Sequence, residues 1–184
     1  MSTTWVIIRA SGIVAYVLLA LSAMWGLVVS STLLGRAASA KRLTHVHESL
    51  SIGALLATLT HAVALTFDEY VPFSVADVVV PGASDWHPGA SALGVTAAWG
   101  LLVITLSFYV RRHIGRRAWR LLHFGAFGVF VAALVHGVTA GTDTSSPLMQ
   151  WIYLATGCAV AALTIIRVAL LGVPLPSPAG KPSR

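Results

Sequence analysis

Long apolar stretches, each about as long as a bilayer-crossing helix, dominate this chain and restrict its fold more than any other feature. A helical span needs roughly 20 mostly apolar residues, and five stretches meet that requirement. The predicted spans are residues 5–34, 46–67, 91–110, 118–140 and 147–171. Backbone groups in lipid must be hydrogen-bonded within the chain, so these spans must be helices. The sequence therefore predicts an all-α integral membrane bundle of about five transmembrane helices.

The composition leaves little room for anything outside that bundle. Hydrophobic residues make up 57% of the 184 positions and charged residues only 10%, whereas a soluble domain carries about 25% charged residues. We predict one transmembrane domain over residues 1–172 and a flexible, proline-rich cytoplasmic tail over 173–184. The apolar run at 13–34 exceeds the roughly 7–15 residues of a signal peptide core, so it should remain as a span. A lone Cys158 excludes a disulfide framework or thiolate cluster.

The positive charges predict orientation and not nucleic-acid binding. The formal net charge is +6, but the basic residues lie in short loops between apolar spans and form no phosphate-binding face. Eleven of the twelve fall on one side of the predicted bundle: Arg36, Lys41, Arg42, Arg111, Arg112, Arg116, Arg117, Arg120, Arg167, Lys181 and Arg184. Cytoplasmic loops carry such an excess. We expect the N-terminus outside, the C-terminus cytoplasmic, and a multi-pass protein of the cell's inner or plasma membrane.

Four histidines lie within two of the predicted spans. His47 and His61 are 14 residues apart in the second span, and His123 and His136 are 13 apart in the fourth. Both spans run outward, so His47 lies level with His123 near the cytoplasmic face, and His61 with His136 nearer the outside. Within each span the two levels are separated by about 20 Å of helix rise. Ionisable side chains are rare inside membranes and usually functional there.

Two depth-matched histidine pairs favour two bis-histidine haems. Haem iron takes axial ligands on both faces of its ring, and neutral imidazole is a common one. We predict two haem groups, with His47 and His123 on the inner iron and His61 and His136 on the outer iron. Such sites carry single electrons and keep no open position at iron. Zinc or copper would need three or four clustered ligands. Hydrogen bonding between helices and a proton relay in a membrane scaffold or carrier are the other interpretations.

The spacing in the fourth span predicts a local distortion of its helix. At about 100° per residue, 14 residues return to within roughly 40° of the starting face, but 13 residues miss it by roughly 140°. For His123 and His136 to face one groove, the helix would have to widen. Gly125 and Gly128 lie between them and would allow a π-bulge or a glycine-centred distortion.

Several other residues are candidates for the surroundings of the two haems. Arg9 is the lone cation of the outer side; its guanidinium suits a haem propionate, or it extends to the interface. Trp119 and Arg120 lie about one turn before His123 and are candidates for the inner haem's surroundings. His45 is a reserve ligand candidate, and His87 lies on the outer loop, either near the outer haem or as an ordinary loop residue.

This pattern resembles the ferric-reductase-like transmembrane domain family. The family includes ferric reductases, the membrane part of NADPH oxidases and the haem subunit of methionine sulfoxide reductase. The resemblance rests on His47 and His61 on one helix, followed by Trp-Arg-Leu-Leu-His at 119–123 and His136 on another. The resemblance implies two b-type haems on these histidines and a propionate contact for Arg9. The unequal spacing of 14 and 13 residues is also similar to that of the NADPH oxidases. Family members with a flavin- and NADPH-binding domain continue beyond the point where this chain stops.

The expected function is therefore a dihaem membrane cytochrome that carries electrons outward. Its donor would be a separate cytoplasmic flavoprotein or ferredoxin-like protein, or a quinol. Its acceptor would be a protein or a small molecule on the outer side. Two alternatives stay open: a haem subunit dedicated to one periplasmic oxidoreductase, and a non-redox scaffold or carrier that uses the intramembrane histidines.

Overall fold

The computed structural model describes residues 2–31 and 39–171, and the described chain is all helical. The helices are α1 (Thr3–Ser30), α2 (Ala40–Leu65), α3 (Val75–Val79), α4 (Pro88–Ile114), α5 (Arg116–Ala140) and α6 (Pro147–Leu171). All except α3 are long and apolar enough to cross a membrane. The predicted all-α architecture is thus confirmed, and five helices of the described chain have the length and composition of membrane spans. The predicted end of the first span at residue 34 and the predicted tail at 173–184 lie outside the described residues.

Two helix boundaries differ from the sequence prediction by four residues or more, because those helix ends carry charge. α2 begins at Ala40, whereas the apolar run begins at residue 46; the Ser39 hydroxyl caps it by accepting the Arg42 N–H at 3.4 Å. α4 continues past residue 110 to Ile114 and stops at Gly115, whose φ of 82° breaks the helix before α5. Hydropathy detects the part of a helix that contacts lipid and misses its polar turns at the interface.

Four of the long helices form a closed ring with a gap across it. α1 packs antiparallel along α2 and α4 along α5, while α2 also contacts α4 and α1 also contacts α5. α6 lies outside the ring against α1 and α5. Within the described ranges, no close backbone contact joins α2 to α5. The two helices that carry the histidines therefore face each other diagonally across the bundle.

Small residues let the neighbouring helices approach closely on either side of that gap. Ala20 of α1 and Ala54 of α2 are completely buried. A Cβ on Gly100 of α4 would lie 2.5 Å from Cγ2 of Val129 on α5. Without a hydrophobic driving force in lipid, close packing of this kind holds membrane helices together. These contacts fix the helix axes around the histidines.

The outer connection between α2 and α4 contains the short helix α3. Its N-terminus has a capping box in which Ser74 and Asp77 each satisfy a backbone N–H of the other. The indole Nε1 of Trp99 donates to the Val79 carbonyl at 2.8 Å and ties α3 to α4.

Candidate functional site

The inner histidines meet across the gap between α2 and α5. The ring centres of His47 and His123 are 6.0 Å apart. Both rings line a cavity of about 480 Å³ between the helices, a volume in the usual range for ligand and cofactor sites. The structure therefore brings this predicted pair together beside an open space.

The outer histidines form the second pair. His61 of α2 and His136 of α5 lie close enough for their rings to interact electrostatically. His61 is 14 residues beyond His47 on α2, a rise of about 21 Å along the helix. Their backbone partners, Ile8 near the start of α1 and Ala90 near the start of α4, put both rings at the same end of the bundle.

Three of the four imidazoles are held in the same way, by a backbone carbonyl of a neighbouring helix. The hydrogen bonds join Nδ1 of His47 to Ser22 O at 3.1 Å, Nδ1 of His61 to Ile8 O at 2.8 Å, and Nδ1 of His136 to Ala90 O at 2.8 Å. A carbonyl oxygen only accepts, so Nδ1 carries the hydrogen and a neutral ring keeps its lone pair on Nε2. Among the described residues, no hydrogen bond reaches Nε2 of these rings.

A glycine makes each of those carbonyls accessible. In every case the residue four positions after the carbonyl is glycine, so the ring lies where a side chain would otherwise project. A Cβ would lie 3.1 Å from the His47 ring at Gly26, 3.0 Å from the His61 ring at Gly12, and 2.6 Å from the His136 ring at Gly94. Each glycine and carbonyl together form a seat for one imidazole.

These three glycine-and-carbonyl seats were not predicted from the sequence, although the glycines themselves are a signal for them. Each seat is a glycine inside an apolar span, where glycine weakens a helix and therefore needs a packing reason. The sequence cannot tell which helix lies opposite that glycine. Once the pairing of α1 with α2 and of α4 with α5 is known, the histidine opposite each glycine is evident.

His123 is held differently from the other three. Its ring stacks on Trp119 of the same helix, with ring centres 5.1 Å apart and planes inclined by 22°. In the part of the chain that the structure describes, neither of its ring nitrogens has a hydrogen bond. No helix backbone therefore fixes the rotation of this ring.

The inner cavity also contains buried polar atoms without a partner. Nε1 of Trp119 and Oγ1 of Thr105 are buried, and neither has a hydrogen bond among the described residues. Arg120 and Arg167 line the same cavity. Leaving a buried polar group unsatisfied costs about 1–3 kcal/mol. A bound molecule with anionic or hydrogen-bond-accepting groups would satisfy these atoms, and a haem with its two propionates fits that description.

The arrangement does not resemble a closed zinc or copper site. No group of three or more histidine, cysteine or acidic side chains is placed to hold a metal ion within residues 2–31 and 39–171. The site offers two imidazoles at each level. Two ligands per metal suit a cofactor that supplies the remaining ligands itself.

The Arg9 guanidinium is paired with Asp143. It forms a two-pronged ion pair with Asp143, with Nε donating to Oδ2 at 2.6 Å, and it lies 3.9 Å over the Trp5 ring. This pair ties the start of α1 to the loop between α5 and α6. A propionate contact for Arg9 stays a prediction, and such a contact would compete with Asp143.

The other two histidine candidates lie at the surface. His45 is exposed on α2 and lines a separate shallow groove with Glu48. His87 is exposed and precedes α4 with a left-handed φ of 41°, next to Trp86. Neither contacts the paired imidazoles through a contact that the structure shows, so both roles stay predictions.

The predicted widening of the fourth span is wrong. α5 is an uninterrupted α-helix from Arg116 to Ala140, without a π turn. His123 extends towards His47 of α2, whereas His136 extends towards the first turn of α4 at Ala90. A regular helix thus places both rings: His123 beside Trp119 and His47, and His136 through its bond to the Ala90 carbonyl.

The fold and the site together define a multi-pass helical membrane protein with two intramembrane histidine pairs. Comparison with protein-family models, curated protein sequences and solved structures finds no match to this chain. The resemblance to the ferric-reductase-like family therefore rests on the histidine spacing and stays a prediction.

Proposed function

We propose that this protein is a dihaem b-type membrane cytochrome that carries electrons across the membrane. His47 and His123 would hold the inner haem, and His61 and His136 the outer haem. When bound, a haem iron with two imidazole ligands accepts and releases single electrons. The protein's own side chains would fix the positions of both groups and exclude water from them.

The anchoring of the imidazoles is the observation that carries this proposal. A metal-ligating histidine almost always donates its other ring N–H to a carbonyl, carboxylate or water, which fixes its tautomer and orientation. His47, His61 and His136 each make that bond through Nδ1 to a backbone carbonyl. The arrangement leaves Nε2 as the ligating atom. Histidines that served only to link helices would have both ring nitrogens hydrogen-bonded within the protein.

The dimensions of the inner pair also fit. Two imidazoles on opposite sides of one metal ion, with bonds of about 2.0 Å, have ring centres roughly 6 Å apart. The observed separation between the rings of His47 and His123 is 6.0 Å. The absence of close backbone contact between α2 and α5 in the described chain leaves width for a planar group. Arg120 and Arg167 supply positive charge at the cavity.

Direction and partners follow from the charges at the two ends of the bundle. Basic residues crowd the end near His123, where Arg111, Arg112, Arg116 and Arg117 lie at the junction of α4 and α5. On the positive-inside rule we assign this end to the cytoplasm and the N-terminus to the outside. The proposed location is the inner or plasma membrane. Electrons would enter here from a flavoprotein, a ferredoxin-like protein or a quinol. They would leave at the outer end to a protein or small-molecule acceptor.

A spectrum with haem quantitation tests the proposal directly. The detergent-purified protein is measured as a dithionite-reduced minus oxidised difference, and haem per chain is determined as the pyridine haemochrome. We expect two low-spin haem b groups per chain. His47→Ala and His61→Ala should each remove one haem. His45→Ala, two residues from His47 but exposed on the surface of α2, is the matched control and should retain both.

Protein without haem, expressed with an ample haem supply, would overturn the proposal. That result would favour the scaffold or carrier, in which the histidines relay protons and their loss alters transport but not absorbance. One haem per chain in the wild-type protein would contradict the two-site arrangement while leaving electron transfer in place.

A further inference from the structure

The four imidazoles are not equivalently held, and the exception is at the inner site. We infer that Trp119 is the positioning residue for His123, and that without its indole stack the inner site opens to a small neutral ligand such as carbon monoxide. This inference rests on the proposed haem sites. It assigns to one aromatic ring the task that a carbonyl and a glycine perform for each of the other three histidines.

The first step is the difference in restraint. His47, His61 and His136 each have a hydrogen bond on Nδ1 and a glycine against the ring. His123 has neither among the described residues. A hydrogen bond to Nδ1 fixes rotation of the ring and raises the basicity of a ligand. His123 is therefore the ligand with the weakest restraint from the backbone.

The second step is that Trp119 supplies the missing restraint. Residues four apart on a helix are neighbours on its surface, and the indole lies nearly parallel to the His123 ring at 5.1 Å between centres. The His47 ring meets His123 edge-on at 6.0 Å. The indole thus supports one face of the imidazole while His47 lies across the cavity.

The third step is the position of this pair in α5. The backbone N–H of Trp119 bonds to the carbonyl of Gly115, the residue that immediately precedes α5 and caps its N-terminus. Trp119 therefore lies in the first turn of the helix and His123 in the next. Helix ends open more readily than helix centres. His136, by contrast, is held by a carbonyl of another helix, so the outer site does not depend on α5 alone.

Replacement of the His123 imidazole by carbon monoxide would be a ligand exchange in which no electron is transferred. At reduced iron, carbon monoxide would form a bond through carbon as the bond to Nε2 of His123 breaks, and the imidazole would remain neutral. The three imidazoles with carbonyl anchors would stay bound. The outer haem in the same molecule is an internal reference, because its ligands have no contact with Trp119 in the described structure.

The test compares three variants of the full-length protein. Trp119→Ala removes the stack, Trp119→Phe keeps an aromatic face but removes the buried Nε1–H, and Trp151→Ala removes an indole that is 68% exposed on α6. Each variant is reduced with dithionite and exposed to carbon monoxide, and the difference spectrum is expressed per haem from the pyridine haemochrome. We expect Trp119→Ala to bind carbon monoxide at one haem of its two. Trp119→Phe and Trp151→Ala should match the wild-type protein.

Several results would overturn the inference, and each is distinct from a failure of the proposed function. Trp119→Ala with two haems and no carbon monoxide complex would show that the stack does not hold His123. Equal binding by Trp119→Ala and Trp119→Phe would assign the effect to the indole N–H. If Trp119→Ala loses one haem instead, retention of both by Trp119→Phe supports the stack, and loss by both variants refutes it. Wild-type protein without haem would refute the proposed function itself, and this inference with it.

Discussion

Replacing Gly94 by alanine should remove the outer haem while leaving the inner haem bound. Gly94 on α4 lies directly against the ring of His136, and an added Cβ would be 2.6 Å from its Cε1 and Nδ1 atoms. Non-bonded carbon atoms prefer about 3.5–4.0 Å, so the ring must retreat by roughly 1 Å. The Nδ1 bond to the Ala90 carbonyl, now 2.8 Å, would then exceed the normal hydrogen-bond range.

The size of the effect follows from the loss of that bond. Removing a hydrogen bond to the outer nitrogen of a metal-ligating histidine typically weakens affinity by about 10- to 100-fold, and the ring is displaced as well. The background effect has the opposite sign, because alanine in a helix interior is more favourable than glycine by roughly 0.5–1 kcal/mol. A loss of haem from Gly94→Ala therefore cannot be attributed to a weaker helix.

The assay is haem content per chain after purification and after titration of the protein with haemin. We expect Gly94→Ala to retain about one haem. Gly12→Ala and Gly26→Ala should weaken their sites less, because their added Cβ atoms would lie 3.0 and 3.1 Å from the rings. Gly89→Ala on the same helix meets no atom within 4 Å and is the control. Two tightly bound haems in Gly94→Ala would refute the seat as described.

Three further predictions address other contacts of the bundle. Ser22→Ala removes a hydroxyl 3.2 Å from Nδ1 of His47 but keeps the Ser22 carbonyl that anchors the ring. The free energy of unfolding should fall by about 0.5–1.5 kcal/mol, and both haems should be retained. Loss of the inner haem would contradict the carbonyl anchor. Asp143→Ala breaks the ion pair with Arg9 and should lower the free energy of unfolding by roughly 1.5–3 kcal/mol, which is measured as a lower melting temperature. If Arg9→Gln loses haem and Asp143→Ala does not, Arg9 contacts a propionate. Reversing the charge of Arg116 and Arg117, both exposed at the start of α5, should slow reduction by an acidic protein donor and flatten its salt dependence, and unchanged stopped-flow rates would exclude docking there.

The spans and the histidine pairs were predictable because each depends on local sequence. Hydropathy over about 20 residues reports burial in lipid whatever the neighbouring helices are. Relative depth follows from the position of each histidine within its span. The start of α2 and the end of α4 were misplaced because the first turn of α2 and the last turn of α4 carry basic residues. Hydropathy counts these residues against a span although the helix continues through them.

The environment of each imidazole was not predictable, because it depends on which helix lies opposite. Gly12 and Gly94 look like any other glycine of a membrane helix until α2 and α5 are positioned beside them. The same limit explains the wrong expectation for α5. Counting turns along one helix leaves out the neighbouring helices, and it could not show that Nδ1 of His136 bonds to the start of α4 while the His123 ring faces α2.

The gap between α2 and α5 has a consequence for the biogenesis of this protein. The ring of the described bundle consists of two antiparallel helix pairs, α1 with α2 and α4 with α5, and His47 of one pair approaches His123 of the other. Each pair consists of two helices that are long and apolar enough to cross a membrane. On the proposed function, haem is the last component to arrive and bridges the two pairs. The cellular supply of haem would then set how much of the newly made chain escapes membrane proteases.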